Sequence, residues 1–75
     1  MNHLFSSTFL YNQNEQTFSI YKLADNLYQA RGDLDVIVLW KNNNKWEGAG
    51  TIEDPFIVEL VGNAIDKHLS AINSI

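Results

Sequence analysis

Residues 34–40, Leu-Asp-Val-Ile-Val-Leu-Trp, limit the possible fold more than any other segment of this chain. Side chains of a strand alternate between two faces. Here Leu34, Val36, Val38 and Trp40 point one way; Ile37 and Leu39 point the other, with Asp35 and Lys41 at the ends of that row. A strand that is apolar on both faces is normally buried on both. The chain must supply, or borrow, two covers for it.

One cover follows in the sequence. Asp54 is a good N-cap and Pro55 suits the first helical position, where a missing N–H costs nothing. Asp54 also sets negative charge at the positive end of the helix dipole, with Glu53 just outside it. The spacing predicts a helix from about Pro55 to about Ile72. On a wheel of 100° per residue, Ile57, Leu60, Val61, Ala64, Ile65 and Ile72 form an apolar arc with Leu69 at its edge, opposite Glu59, Asn63, Asp66 and Ser70. Gly62 falls on the polar side, where it costs about 1 kcal/mol relative to Ala.

The upstream residues read as strands. Thr8–Tyr11 and Thr17–Leu23 are rich in aromatic and β-branched residues, and Leu27–Arg31 is a weaker candidate. Asn12–Gln16, Ala24–Asn26 and Gly32-Asp33 are the polar breaks between strands. After the apolar strand, Asn42-Asn43-Asn44 forms a turn, because asparagine tolerates the left-handed conformation that tight hairpins require. Lys45-Trp46-Glu47 then returns antiparallel, and Gly48-Ala49-Gly50 reads as a connector or edge bulge. The expected architecture is one α+β domain over residues 1–75. It is a four- to five-stranded antiparallel β-meander with one C-terminal amphipathic helix packed on one face.

That helix covers one side of the apolar strand. The other side is left for the N-terminal segment around Leu4 and Phe5, a second copy of the chain, or a ligand. A large apolar face left uncovered marks an interaction site.

Charge and size narrow the function classes. A 75-residue chain has room for one thin core, and with no cysteine it has neither disulfides nor thiolate metal sites to reinforce it. Five basic residues, Lys22, Arg31, Lys41, Lys45 and Lys67, are scattered against nine acids. Nucleic-acid binders cluster their basic groups, so this balance argues against that class. No apolar run approaches the ~20 residues a membrane helix needs. Met1–Ser7 has no basic residue ahead of its apolar patch, unlike a secretory signal. The cytoplasm is the expected compartment.

Four groups of residues invite chemical readings. Trp40-Lys41-Asn42-Asn43-Asn44-Lys45-Trp46 is nearly palindromic. A three-asparagine loop pairs Trp40 with Trp46 on one face, where two indoles flanked by lysines could stack bases or sugars. A loop of Asn42-Asn43 pairs Trp40 with Lys45 and sends the indoles to opposite faces. His68 lies in the apolar arc with Ala64, Ile65, Ala71 and Ile72 at its i±3 and i±4 positions, which excludes a helical zinc pair. A partly buried histidine at a core edge or subunit interface fits best there. Gly48-Ala49-Gly50-Thr51 lacks the lysine of a phosphate-binding loop, and Glu53 and Asp54 occupy the anion position. Asp33 and Asp35 fit turn and capping roles; the spacing of a calcium loop is absent.

The sequence contains no catalytic, metal-binding or cofactor signature. It points to a non-enzymatic protein–protein interaction module, self-associating or acting as a small adaptor or inhibitor, that works through the sheet face its helix leaves open. The expected contact residues are Val36, Val38, Trp40, Trp46 and His68. Two alternatives stand beside it: a single-stranded nucleic-acid or carbohydrate binder using Trp40 and Trp46, and a small enzyme or carrier with a site at a dimer interface near His68.

Overall fold

The computed structural model describes residues 2–52 and 54–73. Five strands, β1 (Asn2–Tyr11), β2 (Asn14–Ala24), β3 (Leu27–Arg31), β4 (Val36–Asn42) and β5 (Lys45–Gly50), are followed by one helix, α1 (Pro55–Asn73). The strands form a single antiparallel sheet in the order β1-β2-β3-β4-β5, so each pairs with its neighbour in sequence. The chain is therefore an α+β fold with the helix packed on one face of a five-stranded meander.

Tight turns account for the meander. Asn12 and Gln13 (φ 52° and 65°) join β1 to β2, and Asn43 and Asn44 (φ 53° and 65°) join β4 to β5. Two consecutive positive φ values make the two-residue turn whose twist matches that of paired strands. The first hairpin is longer than expected. Only Asn12 and Gln13 lie outside its strands, and β1 runs from Asn2, six residues ahead of Thr8. At the β2–β3 turn, Asn26 (φ 58°) clamps the end of β4: its Nδ2 donates to Lys41 O at 2.7 Å and its Oδ1 accepts from Lys41 N at 3.3 Å.

Two other boundaries differ from expectation. β4 starts at Val36, and Leu34 projects from the preceding loop, 91% exposed. That loop is closed by Gly32 N donating to Asp35 O at 2.7 Å. Gly48-Ala49-Gly50 is no connector; it completes β5, pairing with Leu39, Val38 and Ile37. Gly48 sits beneath Val58 of α1, so the missing side chain lets helix and sheet approach.

The helix begins as expected. Asp54 Oδ1 accepts from Phe56 N at 2.9 Å, and Asp54 O accepts from Ile57 N and Val58 N at 3.1 and 3.2 Å, a side-chain cap followed by the first helical turn. Tyr11 Oη, at the end of β1, donates to Asp54 Oδ2 at 2.8 Å and ties the cap to the sheet. Glu53, expected just ahead of the helix, lies outside the described residues. The core sits between sheet and helix: Phe18, Ile20, Ala30, Ile37 and Leu39 face Ile57, Val61 and Ile65, all fully buried. Among the described residues, no helix is long and apolar enough to cross a membrane.

Candidate functional site

Every strand alternates, so the residues between the core positions define the opposite face. Cross-strand pairing runs one row through His3, Tyr21, Gln29, Val38 and Ala49. A second row joins Leu27, Trp40 and Glu47; a third joins Ser6, Ser19, Arg31 and Val36. No helix or loop of the described residues packs over these rows, because α1 lies on the other side. The N-terminal segment does not cover them either. It forms the edge strand β1, and Phe5 points to the helix side, where it stacks on His68.

The apolar side chains of this open face gather on β3 and β4. Val36, Val38, Trp40 and Leu27 are each partly exposed, and so is Tyr21 on β2, across Gln29 from Val38. Trp40 is held in place by Nε1 donating to Glu47 Oε2 at 3.0 Å. Towards β1 the face turns polar: the hydroxyls of Thr8 and Thr17 are 2.8 Å apart, and the His3 ring meets Tyr21 edge-on at 5.3 Å. Gln29, at the centre, holds its Oε1 enclosed with no hydrogen-bond partner. Arg31 is exposed beside it.

The five expected contact residues divide between the two faces. Val36, Val38 and Trp40 lie on the open face. Trp46 does not: the loop is the two residues Asn43 and Asn44, which sends the indoles to opposite faces as an Asn42-Asn43 loop would, with Trp40 paired two residues further along than that loop implies. Lys41 then pairs with Trp46, and Trp40 with Glu47. The two indoles lie on opposite faces and cannot share one ligand. Trp46 packs edge-on to Tyr28 at 5.9 Å and against Gly62, which is buried and not on a polar helix side. Its Nε1 donates to Asp66 Oδ2 at 3.0 Å, and Lys41 Nζ donates to both oxygens of the same carboxylate at 2.9 and 3.0 Å. Asp66 thus leaves the solvent role expected of it and pins β4 and β5 to the helix. His68 is also on the helix side, partly buried, with its ring 4.4 Å from that of Phe5 and tilted by 20°.

Asp35 helps to hold the loop ahead of β4. Thr51 Oγ1 donates to Asp35 Oδ1 at 3.0 Å and accepts from Val36 N at 2.9 Å, fastening the β3–β4 loop to the end of β5. Among the described residues, no three His, Asp or Glu side chains come close enough to hold a metal ion. A separate groove of about 740 Å³ runs between β5 and the first half of α1, past Trp46, Gly48, Val58 and Glu59. Its titratable groups are Lys45, Glu47 and Glu59.

Tyr21, Leu27, Gln29 and Arg31 also belong to the open face, beyond the residues expected from sequence. The alternation of Tyr28 and Ala30 against Leu27, Gln29 and Arg31 was the available signal, but its sense depends on which neighbours pair. No family model matches the chain, and comparisons with curated proteins and with solved structures find no match.

Proposed function

We propose that this domain is a protein–protein interaction module whose contact surface is the sheet face opposite α1, and that its partner is a second protein presenting an apolar surface. One observation carries the reading. Val36, Val38 and Trp40 form an apolar row on β4, with Leu27 beside Trp40 and Tyr21 one strand further across Gln29, and no described element packs over them. Partly exposed apolar surface that the chain leaves uncovered is a feature of binding sites. The composition suits an interface: Trp, Tyr and Arg are the residues that dominate binding energy, and Trp40, Tyr21 and exposed Arg31 all lie on this face.

Site-specific photo-crosslinking tests the reading. A photoreactive residue at position 38 should give a discrete adduct in cells, and one at exposed Glu59 on α1 should not. The identified protein, purified, should then bind wild type and lose affinity about tenfold or more to Val38→Lys. Equal crosslinking at both positions, or binding indifferent to Val38→Lys, would sink it.

A further inference from the structure

We infer that this chain also associates with a second copy of itself, edge to edge, through β1. The inference uses the rim of the sheet, not its open face, and stands apart from the function proposed above.

β1 is the longest run of unguarded edge in the fold. It is ten residues long, and only β2 pairs with it; no backbone hydrogen bond from any other described element reaches its outer side. Natural sheets protect such edges with charge, proline or short strands, because a free row of N–H and C=O groups is a template for another strand. The opposite edge follows that rule: β5 has six residues and carries Lys45 and Glu47. β1 does not. None of the nine acids and five bases of the chain falls within it, nor does the proline. Its one protective feature is the bulge between His3 and Phe5, at its start.

The sequence of β1 selects the occupant. Leu4-Phe5-Ser6-Ser7-Thr8-Phe9-Leu10 reads nearly the same in both directions. Antiparallel pairing about a two-fold axis at Ser7 sets Phe5 opposite Phe9 of the second copy, Ser6 opposite its Thr8, and Ser7 opposite its Ser7. Residues directly opposite in an antiparallel pair share a face. Phe5 and Phe9 both lie on the helix side, partly buried against the core, so aromatic meets aromatic. Ser6 and Thr8 both lie exposed on the open face, so hydroxyl meets hydroxyl. Both are favourable cross-strand pairs. The bulge ends the regular register at Phe5, so the pairing spans residues 5–9 of each copy. Charge agrees: a chain of net charge −4 repels its copy over most of its surface but not along this uncharged edge. The product is a symmetric dimer with a continuous sheet, both helices on one side and both open faces on the other.

Sedimentation equilibrium on the full chain at micromolar concentrations tests this. Wild type should have twice the mass of one chain. The double variant Ser6→Lys/Thr8→Lys puts like charges opposite each other in both outer pairs and should raise the dissociation constant about tenfold or more. Ser6→Lys/Thr8→Glu puts opposite charges there and should restore the dimer, which no loss of fold would do. Val38→Lys should leave the dimer intact. In wild type, amide exchange along β1 should slow as concentration rises. A monomeric wild type, or a dimer that ignores Ser6→Lys/Thr8→Lys, overturns the inference. A dimer lost only with Val38→Lys overturns it too, and moves self-association to the open face.

Discussion

The Trp46 indole lies where a side chain on Gly62 would have to be. An ideal Cβ at position 62 overlaps the pyrrole half of the ring, so the bare helix backbone is the floor on which Trp46 rests. From there Trp46 reaches Asp66 one turn further along. Helix propensity alone says that Gly62→Ala stabilises the chain by about 1 kcal/mol. The packing says the reverse: forcing atoms into a filled site costs about 1–3 kcal/mol. We expect Gly62→Ala to lower the urea midpoint, and the loss to shrink when Trp46 is also replaced by Leu. A stabilised Gly62→Ala would show that Trp46 leaves the helix in solution.

The same contact shows why part of this fold was legible in the sequence and part was not. The Asp54-Pro55 start, the two-sided strand and the meander follow from local chemistry: a cap, an alternation, a set of turn residues. Gly62 and Asp66 were misplaced because a helical wheel knows only its own apolar arc. The curling edge of the sheet brings Trp46 and Lys41 onto the flank that the wheel calls polar. The candidate face was legible on β4, where Val36, Val38 and Trp40 alternate with core residues. It was illegible at Trp46, because three consecutive asparagines permit several turns and a one-residue shift decides which face the ring takes.

Tyr11 should report on the helix cap. Its hydrogen bond to Asp54, together with the nearby carboxylate charge, raises the phenol pKa above its ordinary value. Below that value (~10) the hydroxyl keeps its proton in both folded and unfolded chains, and the contact's contribution is complete. As pH rises past it, the unfolded chain gives up the proton first, so the contribution is lost progressively up to the higher folded pKa. Tyrosinate absorbance should show a late step from Tyr11. Asp54→Asn should bring that step back towards the ordinary range, and Tyr11→Phe should remove it. An unchanged late step in Tyr11→Phe would assign it elsewhere.

Gln13 is the most improvable residue in the chain. It holds φ at 65°, a region that disfavours any residue with a Cβ, and unlike Asn12 beside it lacks the short amide that eases this conformation. Gln13→Gly should stabilise the fold by about 1 kcal/mol, less the extra freedom glycine gains when unfolded. Gln13→Val should cost about as much or more. Thermal melts of the two variants should move in opposite directions; a shared direction would refute the turn geometry.

Gln29 offers a test of the open face that needs no partner. Its enclosed Oε1 lacks a donor, and a buried acceptor left unsatisfied costs about 1–3 kcal/mol. Gln29→Met keeps the length of the side chain and removes the orphan atom. We expect the isolated domain to gain about 1 kcal/mol in urea denaturation. A loss of stability would show that the amide is satisfied in solution.

The strict neighbour order of the sheet has a kinetic consequence. Each strand needs only the one just before it, across turns of a few residues, so no pairing waits on the closure of a long loop. Chains with such short-range contacts cross their folding barrier faster than sandwiches or barrels of similar size. The sheet can zip up in the order in which it is written. Until residues 55–73 settle onto Phe18, Ile20, Ile37 and Leu39, the meander has two bare sides.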